Sequence, residues 1–286
     1  MKKALTIVLA CLAALSVPAG CTASGGSAIH VISREESSGT RTAFIELLGV
    51  ETKDEDGNKI DRTIEGAEIT KDTSVMLLTV AGDPGAIGYI SMGSLNNTVK
   101  ALRIDGVAPG VEAVRGGGYP IARPFQIITK GELTAPAQAF YSFILSAEGQ
   151  AVAEAFGCVP NEDAQPYAPP AEAAGKVVVA GSSSVSPLMD KLIDAFAAVS
   201  GGVSVELQQS DSTTGVSNTL EGLCDIGMIS RGLKAEEEAE GLTAAKIATD
   251  GIAVIVSNQN EVDSLTKDQV RDIYIGEIAE WSELHA

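Results

Sequence analysis

One plan occurs three times in this chain: a β-branched strand, a loop crowded with serine, threonine and glycine, then apolar residues at helical spacing. KVVVAGSSSVSPLMDKLIDAFAAVSGG (176–202) turns through glycine and serines into a helix with Leu188, Leu192, Ile193 and Phe196 on its apolar side. SAIHVISREESSGTRTAFIELLG (27–49) runs from a strand over His30 to Ser33 through a polar loop. It continues into a helix bearing Phe44, Leu47 and Leu48, with Gly49 as its stop. VSVELQQSDSTTGVSNTLEGLCDIGMISR (203–231) reads as strand, hydroxyl-rich loop, helix and short strand. Strands alternating with helices predict parallel α/β sheets. At roughly 150 residues per domain, a chain of this length predicts two lobes, each able to bury its own core.

Other segments fit around these units. KIATDGIAVIVSN and YPIARPFQIITKG contain apolar strands long enough to pass between lobes, and residues 139–157 form an amphipathic helix or helix pair. NEDAQPYAPPAEAAG (161–175) has three prolines and no apolar period, which predicts an exposed linker. MKKALTIVLACLAALSVPAGC (1–21) is an export signal, too short and too early for a membrane span. Its end, VPAGC, resembles a lipoprotein cleavage box with Cys21 as the lipidated residue, although Pro18 stands where leucine is usual; secretion without a lipid is the alternative. Residues 22–26 then form a short tether. In the mature chain Cys158 and Cys224 are compatible with either a disulfide or two buried thiols. With no CxxC and only His30 and His285 as histidines, zinc has almost no ligands available, and no metal or organic cofactor is implied.

Twenty Lys+Arg against 38 Asp+Glu give a formal charge of -18, and -20 once Lys2 and Lys3 leave with the signal. Such a surface repels nucleic acid and anionic lipid. It does not prevent anion capture, because a helix N-terminus offers unpaired N–H groups and the positive end of a dipole without net charge. Surface charge is screened beyond about 8–10 Å. Ser183 and Ser184 precede one helix, Ser212 and Thr213 open a second, and Ser38, Gly39 and Thr40 open a third. All three can converge on one tetrahedral oxyanion, with Arg34 adding a planar fork for two of its oxygens. Any one of these loops alone is ordinary N-cap material. Three in one chain, one of them flanked by Arg34 and Arg41, favour a ligand. Glu36 would repel an anion unless the ligand has a proton to donate, as phosphate does and sulfate does not. The other reading of Glu36 is a surface pair with Arg34 or Arg41. A serine nucleophile fails on partners: there is no GxSxG, no SxxK at these serines and no histidine in an acid–base setting. GSSSVSP also lacks the GK[ST] ending of a P-loop.

VVVAGSSSVSPLMDKL, QQSDSTTGV, DIGMISR, DGIAVIVSN, IYIGEIAEW, VISREESSGTRTAF, DPGAIGYIS, VKALRIDGV, YPIARPF and FILSAEGQ together span nearly the whole mature chain. They resemble the phosphate-binding proteins of phosphate ABC transporters, the PstS family. That resemblance implies a two-lobed, type II periplasmic-binding-protein fold that clamps phosphate and delivers it to a membrane permease, with no catalysis. The segment order departs from the family's, where the GSSSVSP-like stretch comes first, so the chain looks circularly permuted, with 161–175 joining the family's two ends. A tandem or misassembled gene product cut at both ends would explain the order equally. By position, the resemblance places Ser183, Ser184 and Ser212 in one lobe's site and Arg34, Ser38, Gly39 and Thr40 in the other's, with Glu36 at the family's aspartate. Ser182, Thr213 and Ser230 are secondary candidates. Arg231 follows Ser230 where the family has an acid, which shifts selectivity onto Glu36 or Asp211. One lobe is expected over 27–121 with 252–286 and the other over 122–251, hinged at 119–128 and 249–257. The remaining alternatives are a receptor for sulfate or molybdate and a surface or signalling protein outside transport.

Overall fold

The computed structural model describes residues 28–170 and 173–285; the export signal, the tether and Cys21 lie outside them. A nine-stranded mixed sheet organises the molecule. Its order is Val203–Ser210, Gly175–Ser182, Ile226–Ile229, Ala122–Lys130, Leu242–Ser257, Ala86–Ser91, His30–Arg34 and Glu68–Thr70, with Val99–Ala101 also pairing on Leu242–Ser257. The first three strands are mutually parallel, as are the last three. The parallel pairing expected of alternating strands and helices holds within each block and gives way between them. Ala122–Lys130 and Leu242–Ser257 are antiparallel to each other and to their outer neighbours. They traverse the sheet in opposite directions, so each must oppose one of the two parallel blocks.

Leu242–Ser257 is the spine: residues up to Gly251 pair with Ala122–Lys130, and from Ile252 onward they pair with Ala86–Ser91. The buried apolar side chains fall into separate sets at the same place. Val31 to Ile121 pack with Ile252 to Trp281, whereas Phe125 to Leu242 pack with Ile247 and Ala248.

Local chemistry sets the elements that carry the loops. Gly39–Leu48 is a helix capped by the Ser38 hydroxyl, which accepts the Arg41 N–H at 3.3 Å. It stops at Gly49, whose φ of 73° is left-handed. Phe44, Ile45 and Leu48 are buried, and Leu47 only partly. Phe44 stacks on Tyr89 at 3.9 Å and meets Tyr274 edge-on at 4.7 Å. Residues 139–157 lie in two helices, Ala135–Leu145 and Ala147–Phe156, divided where Ser146 caps the second.

The linker is exposed along most of 161–170, as expected, but it does not hang free. It has no regular structure over 161–170, yet it is tied down. The Ala147 N–H donates to the Gln165 carbonyl at 2.8 Å, the Tyr167 N–H to Glu148 at 2.7 Å, and the Tyr167 ring packs against Phe143 and Phe196. The Tyr167 ring, the one aromatic group in a polar, proline-rich stretch, and these two hydrogen bonds dock it together. Tyr167→Ala should therefore lower unfolding stability by about 1–2 kcal/mol in urea titrations. A loss near zero would mean the segment is a free tether.

Candidate functional site

The three hydroxyl-rich loops meet. Thr40 Oγ1 lies 2.6 Å from Ser184 Oγ and 3.5 Å from Ser230 Oγ. Ser230 Oγ is also 2.9 Å from Ser182 Oγ and 3.3 Å from Ser212 Oγ, and the Ser230 N–H donates to Ser212 Oγ at 3.1 Å. All five residues are buried. Each hydroxyl is both donor and acceptor, so a cluster of this kind satisfies itself and can also turn its donors toward an anion.

Gly39 is required for the approach. A Cβ at this position would overlap the Ser212 hydroxyl and sit 2.9 Å from Ser230 Oγ. Beside it, the Thr213 N–H and hydroxyl both donate to the Ser37 carbonyl, at 3.3 and 3.1 Å. Thr213 thus ties the two sides together at the rim rather than joining the buried hydroxyls.

Arg34 is buried, and its Nη2 donates to Ser183 Oγ at 3.0 Å. The backbone there is fixed from the aromatic core, since the Arg34 N–H donates to the Tyr89 hydroxyl at 3.0 Å and Ser33 Oγ bonds the same oxygen. Burial raises the Tyr89 pKa against the Ser33 and Arg34 contacts, so the phenol stays neutral and serves both neighbours.

Several expectations need correction. Glu36 is exposed, and among the described residues its carboxylate holds neither Arg34 nor Arg41. It faces an open cleft of about 750 Å³ shared with Arg41, Lys59, Arg231 and Lys234. The acid at Arg34 is Glu35, which takes Nε at 2.8 Å and Nη2 at 2.7 Å in a two-point pair. Arg41 goes to Asp61 and to the Arg34 carbonyl. Asp211 caps its helix, one oxygen taking the Thr214 N–H and the other the Thr214 hydroxyl, both at 2.8 Å. Both oxygens are thereby held at the helix start and turned from the hydroxyl cluster. Arg231 is turned onto Glu237 at 2.8 and 2.6 Å. Finally, the Ser183 N–H is spent on the Ser210 carbonyl at 2.8 Å and the Ser184 N–H reaches Ser182 Oγ at 3.3 Å, so these two serines offer hydroxyls more readily than amides. Cys158 and Cys224 are buried free thiols, not a disulfide.

Sequence reasoning also passed over a buried ion pair. Arg123 donates to Asp250 Oδ2 from Nη2 at 3.1 Å and from Nε at 3.4 Å, and to the Ser230 carbonyl from Nη1 at 3.0 Å. The signal was a charge set among apolar residues in each of two strands, Arg123 in ARPFQII and Asp250 in ATDGIAV. Burial pushes the Asp250 carboxyl up, opposed by Arg123 and by the Ser91 hydroxyl.

The chain is similar to known proteins over most of its length. Residues 22–148 and 168–286 match the PBP superfamily domain. The chain is 48% identical over 278 residues to phosphate-binding protein PstS 2 of Streptococcus agalactiae serotype V, covering 96% of this chain and 94% of that protein. It is 40% identical over 261 residues to PstS 2 of Streptococcus pneumoniae serotype 4, covering 91% and 89%. A crystal structure of a phosphate ABC transporter phosphate-binding protein from S. pneumoniae TIGR4 superimposes with a TM-score of 0.70 at 40% identity, over 90% of this chain and 100% of that one. Similarity this long runs in one order through both sequences, so the segment order is shared with these relatives. A misassembled gene product is not needed to explain it.

Two outcomes follow. Gly39→Ala should hold the loops apart and raise the radius of gyration in small-angle scattering; an unchanged radius would contradict the close approach. For Glu237, burial raises the pKa, but the Arg231 pair and the Lys234 N–H outweigh it and hold the carboxyl below its usual range. A depressed folded pKa gives stability that is full above the unfolded value of about 4.3 and is lost as pH falls through the folded one. Wild type should therefore melt above Glu237→Gln at pH 7, with the gap closing on acidification below about pH 4. A gap independent of pH would refute this.

Proposed function

The chain belongs to the PstS family of phosphate-binding proteins within the PBP superfamily, and from that premise we propose that it captures inorganic phosphate between two lobes for delivery to the permease of a phosphate ABC transporter. The lobes are 27–121 with 252–286 and 122–251, and the hinge is the pair of crossing strands at 119–128 and 249–257. The role is binding and release, not catalysis. The observation that carries the reading is the pairing of Thr40 with Ser184 and of Arg34 with Ser183, which joins loops from the two separate cores.

In this site Arg34, Thr40, Ser183, Ser184 and Ser212 present donors to the phosphate oxygens. Ser182 and Ser230 hold the hydroxyls in register, while Ser38 and Gly39 supply the helix start. Closure buries the anion and strengthens each bond in a drier setting. Selection against sulfate moves from Glu36 to Glu35. Glu35 shares the Arg34 Nη2 with Ser183 and keeps lone pairs free to accept the phosphate proton. Outside the cell, once the export signal is removed, lipidation of Cys21 would tether the protein to the membrane face through residues 22–26, beside the permease.

Calorimetry of the mature protein with phosphate and with competing sulfate tests the reading. Phosphate should bind one to one, and Arg34→Ala should weaken it by about 100-fold or more without unfolding the chain. Glu35→Gln should narrow the preference over sulfate, and Glu36→Gln should leave it in place. Unchanged affinity in Arg34→Ala, or tighter binding of sulfate or molybdate than of phosphate, would refute it.

A further inference from the structure

We propose that the buried Arg123–Asp250 pair is a positioning device that sets the place of Ser230 and couples the crossing strands to the anion site; this rests on the phosphate-binding reading above. The two residues face each other in the register of the crossing strands, and their side chains are only 1% and 0% exposed. An ion pair this dry is often no more stabilising than well-packed apolar residues, so stability alone does not account for it. The pair supplies directed donors and acceptors. Arg123 lies 5.1 Å above the Phe125 ring, commits Nε and Nη2 to Asp250, and leaves Nη1 for the Ser230 carbonyl at 3.0 Å. On its other side Asp250 Oδ1 accepts the Ser91 hydroxyl at 2.8 Å, from a strand of the other core.

Ser230 is the residue through which such a device would act. Its hydroxyl touches those of Ser182, Ser212 and Thr40, its N–H is given to Ser212, and its carbonyl is held by Arg123. Moving it disturbs all three loops at once. The series Ser91, Asp250, Arg123, Ser230 thus runs from one core, through the place where the strands cross, to the centre of the hydroxyl cluster. Movement of those strands during closure is delivered to Ser230 as a displacement. Because Asp250 balances Arg123, the pair acts by placement and adds little attraction for the anion.

The test is a double-mutant cycle on phosphate affinity with Arg123→Met and Asp250→Asn made together, which leaves no buried charge unpaired, in the wild-type and Ser230→Ala backgrounds. The paired change should weaken phosphate binding about tenfold beside Ser230 and much less beside the alanine. The pH dependence of binding should keep its shape, since net charge near the site is unchanged. Equal losses in both backgrounds, or a shifted pH profile, would overturn the proposal. Asp250→Asn alone, which keeps the Arg123 donor to Ser230, should lose less affinity than the paired variant; an equal loss would count against positioning through Arg123. Hydrogen exchange on the phosphate-free protein gives a second reading. The segment over residues 226–231 should exchange faster in the paired variant, and unchanged exchange would overturn the inference. If wild type binds no phosphate, the phosphate reading fails while the exchange result still decides this one.

Discussion

Thr40 and Ser184 belong to different cores, and their hydroxyls lie 2.6 Å apart. That contact exists because Gly39 has no Cβ to strike Ser212 and Ser230, and because the loop bearing Thr40 is held rigidly from behind. Tyr89 is stacked on Phe44, so its hydroxyl is a fixed point for both Ser33 and Arg34. The apolar core therefore decides where the polar groups of the site stand. In the proposed site, hydroxyls placed this way would need little reorganisation to receive a tetrahedral anion, and no net positive charge.

The charge pattern follows the same logic. Each of the three buried arginines nearest the site has a carboxylate of its own: Glu35 for Arg34, Asp250 for Arg123 and Glu237 for Arg231. An acidic protein with an uncompensated cationic pit would hold any anion indiscriminately. Here each guanidinium is paired and oriented: Arg34 keeps an N–H for Ser183 and Arg123 one for the Ser230 carbonyl, whereas Arg231 is committed to Glu237 and the Gly232 carbonyl. In the proposed site recognition would rest on short-range donors, and the distant negative surface is screened before it matters.

Much of this was legible in the sequence because the strand, hydroxyl-loop and helix units are local. Ser182 to Ser184, Ser212 and residues 34–40 could be placed at helix starts from pattern alone, and the family resemblance put them in one cleft. What stayed hidden depends on side-chain direction or on distant pairing. Glu35 and Glu36 are adjacent acids. Position in the family's motif pointed to Glu36, whereas the turn in which the Ser38 N–H reaches the Glu35 carbonyl aims Glu35 at Arg34 and Glu36 at solvent. Arg123 and Asp250 are separated by 127 positions and sit in strands that read as apolar. The antiparallel seam followed from how those strands traverse the sheet, which periodicity does not encode. Tyr167 docking the linker was a single residue against a strong compositional signal.

A crystal structure of the mature protein grown with phosphate bears most directly on the central claim. It should show one anion enclosed by Arg34 and Thr40 from one side and by Ser183, Ser184 and Ser212 from the other. Phosphate held by only one of these groups, or seated elsewhere on the molecule, would contradict the account.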